Sequence, residues 1–228
     1  MKRDAARPEQ QPVARRSRSG SAAGGRVLPA AFYDRDPALV ARELLGAVLA
    51  CETADGVASG RIVETEAYLG PHDEACHAVA GRTRRTWHLH GPPGVAYVYR
   101  IYGMYWCVNA VTLPEGVGSA VLVRAVEPIE GIALMRRRRP NARRDLDLTN
   151  GPGKLCLALG IDGSHDGLPL QRAPLTLRAG EPLPDEGVVV TPRIGITRAA
   201  DWPLRFLDRD SPFVSRTPPH FFRRPYSS

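Results

Sequence analysis

Apolar and polar positions alternate with period two in two neighbouring runs, 95–101 and 105–111. Val95, Tyr97, Tyr99 and Ile101 fall on one face of the first predicted strand, and Tyr105, Cys107, Asn109 and Val111 on one face of the second. Gly103, between them, supplies the positive φ of a tight hairpin connection, so Tyr102 and Met104 are expected to project from its tip. A tip that simply meets another loop would explain the same pattern. Upstream, Asp36-Pro37 ahead of Leu39, Val40, Leu44 and Leu45 predicts a capped helix closed by Gly46. Residues 47–53 and 60–68, joined through Asp55-Gly56, predict another hairpin, with Ile62, Glu64, Glu66 and Tyr68 sharing a face of its return strand. Residues 70–94, rich in Gly, Pro, His and Arg, predict a long irregular loop, which in a compact domain is more often functional than idle. Residues 119–125 predict another strand. Glu127-Pro128 is expected to open a short helix through Ile129, Ile132 and Met135 that stops at Pro140, and Gly151-Pro152 a second helix that ends at Gly160. Short β segments follow at 175–178, 188–196 and 204–207. Strands in runs, without regular βαβ alternation, predict a single α+β domain around a mostly antiparallel sheet.

Length and composition agree with one domain: 228 residues at 43% hydrophobic content are enough for a proper core. Cys51, Cys76, Cys107 and Cys156 are widely spaced with no C-x-x-C pair, which suits reduced, intracellular thiols. The start has no apolar leader, and no run of about 18 apolar residues occurs. The expectation is a soluble, cytoplasmic protein, nucleoid-associated in a bacterium, with no membrane partner. The net charge is +7, but residues 1–26 carry seven Lys/Arg against two Asp/Glu, so that stretch supplies +5 and the remainder +2. The expected organisation is a disordered basic tail, 1–26, ahead of a domain over 27–228. The tail either adds non-specific attraction to polyanions or is a plain solubilising extension.

Several constellations invite chemistry. His72 and His77 lack the spacing of a zinc helix and have no cysteine pair beside them, so no metal and no other cofactor is expected. Gly151-Pro-Gly-Lys154 is not a Walker loop, because Leu148 stands where its first glycine belongs; a helix start beside Lys154 still suits a single phosphate. Six arginines crowd residues 136–144, fitting either nucleic acid or a solvated helix end. Cys107 reads as a small buried hydrophobe or as the nucleophile of an acyl or formyl transferase. Glu66 reads as a general base shielded by aromatics and kept ionised by an arginine, or as an exposed glutamate on an outer strand face beside Glu64.

Longer motifs narrow these alternatives. R-I-V-E-T-E-A-Y-L-G (61–70), D-E-A-x-H (73–77), Y-V-Y-x-I-Y-G-M-Y-W-C-V-N (97–109), V-R-A-V-E-P (123–128) and G-P-G-K-L (151–155) together resemble the 3-methyladenine DNA glycosylases of the alkyladenine type. The resemblance covers roughly residues 28–215, with R-I-G-I (193–196) and S-P-F-V-S (211–215) as its last traces. It implies a curved antiparallel sheet with a projecting aromatic hairpin, and an enzyme that flips damaged purines out of double-stranded DNA and hydrolyses the N-glycosidic bond. By residue-by-residue match, Glu66 would activate the water and Arg124 help hold it. Tyr68, His77, Tyr99 and Asn109 would line the base pocket, Tyr102 and Met104 would enter the DNA stack, and Lys154, Arg82 and Arg85 would meet phosphates. With no lysine at the matched catalytic position, the resemblance implies base release without strand cleavage, by a monomer. A catalytically silent nucleic-acid-binding module is the rival reading. The segment R-T-R-R-T-W-H-L-H (82–90) departs from the family pattern, and Trp87, His88 and His90 either take over roles there or fill the loop.

Overall fold

The longest strand, β2 (Gly56–Tyr68), organises the sheet. In the computed structural model, which describes residues 25–215, one edge of β2 pairs along most of its length with β5 (Ser119–Glu130). Its other edge forks: residues 56–61 pair with β1 (Val48–Thr53), whereas Glu64, Thr65 and Glu66 pair with Arg205–Asp208, strand β9. Register shifts at Ile62/Glu64 and Glu64/Thr65 mark the fork. Such bulges bend a strand and increase its twist, so they let the sheet curl. The order β3-β4-β5-β2-β1-β7-β6, with β8 and β9 branching from β2, makes one nine-stranded antiparallel sheet among the described residues. Here β3 is Ala96–Ile101, β4 Tyr105–Thr112, β6 Gln171–Arg172, β7 Leu175–Arg178 and β8 Val188–Thr191. The α+β expectation holds.

Alternation assigns the two faces. Ala96, Val98, Val108, Ala110, Val121 and Val123 join the main core with helix α5 (Pro152–Leu159), whose Leu155, Cys156 and Leu159 are fully buried. The opposite face, with Tyr97, Val111 and Ala120, packs under the 70–94 loop as a smaller cluster that Tyr68 and Tyr99 border. α2 (Pro37–Glu43) starts as expected, with Asp36 accepting from the Ala38 and Leu39 amides. Short helices α1 (Ala30–Tyr33), α3 (Ile132–Arg138) and α4 (Leu146–Thr149) complete the set of α-helices among the described residues. All four cysteines are free and buried.

Two expectations need correction. Glu127-Pro128 does not open a helix: β5 continues through Glu130, and α3 begins after Gly131 at φ 74°. β2 is long enough to offer partners that far, and Pro128, unable to donate to the ladder, faces Gly60 at a register shift. The segment 188–196 is a strand only to Thr191. Pro192 lacks the next ladder donor, and residues 193–196 leave the sheet as a strap. The basic stretch lies outside the described residues apart from Gly25 and Arg26, the latter's carbonyl accepting from Ala179 N. No described helix is long and apolar enough to cross a membrane.

Candidate active site

Glu66 and Glu64 are both fully buried, so the outer-face reading of Glu66 fails. Arg124, reaching from β5, contacts both. Its Nε donates to Glu64 Oε1 at 2.7 Å and its Nη1 lies 3.1 Å from Glu66 Oε2. The β5 register passes from Ala125 opposite Glu64 to Val123 opposite Thr65, leaving Arg124 as the extra residue of a bulge, which aims its side chain. Arg205 Nε, at 2.8 Å, and the Ser215 amide and hydroxyl, at 2.6 and 2.7 Å, saturate Glu64. Burial works upward on the Glu64 carboxyl, but Arg124, Arg205 and Ser215 hold it below its ordinary value. Glu66 has fewer partners: the Ile194 amide donates to Oε1 at 2.8 Å and the Tyr68 hydroxyl to Oε2 at 3.0 Å. Burial pushes its carboxyl up, against the pull of Arg124 and the Ile194 amide. A carboxylate so placed is poised to accept a proton.

Above Glu66 opens a cleft of about 810 Å³. Tyr68, His77, Tyr99, Asn109 and Arg124 all line it, whereas Glu66 lies just beneath, behind Tyr68, Arg124 and Ile194. The walls are locked by short contacts. His77 meets the Tyr97 hydroxyl through Nδ1 at 2.9 Å and stands edge-on to the Tyr99 ring at 4.6 Å. Burial, then Arg85, lowers its pKa, which favours the neutral imidazole. Asn109 Nδ2 donates to the Tyr97 carbonyl at 2.9 Å, which fixes the amide and leaves Oδ1 as its acceptor end. Tyr97 was not foreseen as a site residue, although its place on the Tyr99 face was a usable signal.

The tip of the β3–β4 hairpin forms part of the cleft rim. Tyr102 is 85% exposed and Met104 63%. Gly103 has the expected positive φ, 70°, and Met104 N bonds Ile101 O; what the sequence did not announce is a positive φ at Tyr102 as well, 49°. Two positive φ values suit the twist of a tight hairpin, but the first falls on a bulky aromatic. Lys154, on the first turn of α5, also lines the cleft and donates to Asn150 Oδ1 at 2.7 Å. Its neighbour Gly153 meets Tyr105 so closely that an added Cβ would lie 2.9 Å from Tyr105 Cβ. Arg85 lines the cleft mouth, its guanidinium 5.8 Å from the Tyr99 ring centre, while Arg82 stacks at 3.9 Å on Trp87, away from the lining. Within the arginine run, Arg138 and Arg139 bond carbonyls of the fold and Arg136 and Arg144 pair with Asp145 and Asp147.

The 70–94 loop is irregular but tightly held. His90 is buried and its Nδ1 meets the Thr86 carbonyl, and His88 meets Asp166 at 2.8 Å. Both histidines therefore have structural partners; Trp87 stays 54% exposed. Asp73 and Arg193 form a buried pair that sequence reasoning missed, as it missed Glu64, Arg205 and Ile194. The motifs around them were the available signal. Cys107 lines the cleft, but burial pushes its thiol up to about 11, far from the thiolate that nucleophilic chemistry uses.

The chain's similarity to known proteins agrees with this geometry. The family model described as methylpurine-DNA glycosylase matches residues 31–212. A protein of Myxococcus xanthus (strain DK1622) named "Putative 3-methyladenine DNA glycosylase" is 50% identical over 201 residues, covering 87% of this chain and 98% of the relative. Proteins with the same name from Methanoculleus marisnigri (50% identical, 83% of this chain, 99% of the relative) and Rhodopseudomonas palustris (strain ATCC BAA-98 / CGA009; 48%, 84% and 89%) align comparably. With four-fifths of its length matched and an aromatic cleft above a buried glutamate, the chain belongs to the methylpurine-DNA glycosylase family, hydrolases of DNA repair.

Proposed function

We propose that this protein is a monofunctional glycosylase that binds duplex DNA as a monomer, flips an alkylated or deaminated purine into the aromatic cleft and hydrolyses its N-glycosidic bond. The observation that carries the reading is Glu66, buried beneath the cleft and held by Arg124, Tyr68 and the Ile194 amide. Tyr102 fills the gap left in the stack and Met104 packs beside it. Unstacking and unpairing a nucleotide cost a few kcal/mol, least for a damaged base. Stacking returns about 1–3 kcal/mol per base, so Tyr68, His77 and Tyr99 offset much of that cost. Asn109 stands against the exocyclic amine that guanine would bring. Glu66 takes a proton from water as that water attacks C1′, and its negative charge stabilises the oxocarbenium-like sugar. Arg124 keeps Glu66 in line and ionised. A cationic methylated purine leaves without a second acid, and a neutral His77 adds no charge against it. Lys154, Arg85 and Arg82 supply positive charge for phosphates.

The test is incubation with duplexes carrying 3-methyladenine, 7-methylguanine or hypoxanthine, wild type beside Glu66→Gln. Free base and intact abasic strands are expected from the wild type, and a loss of about 10²–10⁴-fold from the variant. Binding without base release would instead identify a silent nucleic-acid-binding module.

A further inference from the structure

Asp73 and Arg193 have fully buried side chains, and neither lines the cleft. They meet through a two-pronged contact, Nη1 to Oδ2 at 2.5 Å and Nη2 to Oδ1 at 2.8 Å. The carboxylate also accepts the Leu69 and Ala75 amides, and the guanidinium donates to the Ala67 and Ala199 carbonyls. These partners bracket Tyr68 on both sides in sequence and anchor the loop that carries His77 four residues on. The next peptide after Arg193 provides the Ile194 amide that bonds Glu66. Arg193 Cζ also lies 4.7 Å from the centre of the Tyr68 ring. The pair thus ties three parts of the site together: the strap, the end of β2 and the pocket wall. It does so although Arg193 Nε is buried without a partner, an unfavourable arrangement that calls for an explanation.

We propose that Asp73 and Arg193 are positioning residues for base excision, whose clasp holds the Ile194 amide on Glu66 and the Tyr68 ring against the cleft. This rests on Glu66 being the base. An amide donating to a carboxylate favours the ionised form and fixes its direction, so releasing the strap both misaligns Glu66 and makes it easier to protonate. The groups that face Glu66 are Arg124, Glu64, Tyr68, Tyr99, Cys107 and Arg193. In Asp73→Asn all of them keep their charge, and Arg193 loses its counter-charge. If Arg193 acted on Glu66 through charge alone, that variant would make Glu66 harder to protonate. The positioning role has the opposite sign.

The experiment is single-turnover excision of 7-methylguanine against pH by wild type, Asp73→Asn, Arg193→Lys and Glu66→Gln, with binding to an uncleavable abasic-site duplex measured alongside. Both clasp variants are expected to lose about 10–100-fold in rate and to move the acid limb upward by about one pH unit, with binding within about threefold. Arg193→Lys keeps the charge and loses the fork, so it carries the test if Asp73→Asn fails to fold in thermal melting. A wild-type rate in Glu66→Gln overturns the base assignment and this inference with it. A loss in Glu66→Gln with an unmoved or lowered limb in the clasp variants overturns this inference alone.

Discussion

Arg124 turns its Nε to Glu64 at 2.7 Å, so the arginine that reaches Glu66 is itself oriented by a second, more saturated carboxylate. Glu64→Gln would remove the buried negative charge that Arg124 and Arg205 share, although Arg124 keeps its contact with Glu66. Removing one partner of a buried ion pair costs about 3–5 kcal/mol, so chemical denaturation should show a loss of that size. Excision should fall at least about tenfold as Arg124 loosens. A variant with wild-type stability and rate would deny Glu64 this role.

Burial raises the Glu66 carboxyl above its ordinary value, and the proposed general-base role requires Glu66 ionised. Activity is therefore full above the raised pKa and lost as pH falls through it, which places the acid limb above about 4.3. Tyr68→Phe keeps the ring but removes the hydroxyl that donates to Oε2, so its limb should lie higher still. A pH–rate profile with its limb at or below the usual glutamate value would contradict this account.

Asn109 is held by the Tyr97 carbonyl, which keeps its amide at one place in the pocket wall. With Asn109 excluding guanine as proposed, Asn109→Ala would remove the obstacle to the guanine amine while leaving the aromatic rings in place. Measured as free guanine released from undamaged duplex, its activity should exceed that of the wild type. Equal release would mean that guanine is rejected elsewhere.

The strands, their faces and the two hairpins were legible because their information is local: alternation at 95–101 and 105–111, and Asp55-Gly56 at a turn. The pocket residues Tyr68, His77, Tyr99 and Asn109 were legible through motifs, and they do gather at one cleft. What stayed hidden depends on register and on distant partners. Nothing near Arg124 announces a bulge, since that irregularity exists only between β2 and β5. Glu64 looks like any glutamate beside Glu66 until Arg205 and Ser215 arrive from the far end of the chain. Taken locally, Pro128 signals a helix start, its commoner meaning, and the length of β2 overrides that signal.

The left-handed backbone at Tyr102 has a consequence for how this protein would respond to improvement. An L-residue there gives up about 1–2 kcal/mol, which asparagine largely avoids, and the exposed ring has little packing to lose. Tyr102→Asn should therefore raise the melting temperature by roughly 2–4 °C while reducing capture of a flipped purine. An unchanged melting temperature or unchanged excision would refute one half of that forecast. On the proposed role of Tyr102, the hairpin tip is thus a position where robustness and usefulness are in conflict. A library screened for heat tolerance alone would discard this tyrosine early and enrich sturdier proteins that open DNA poorly.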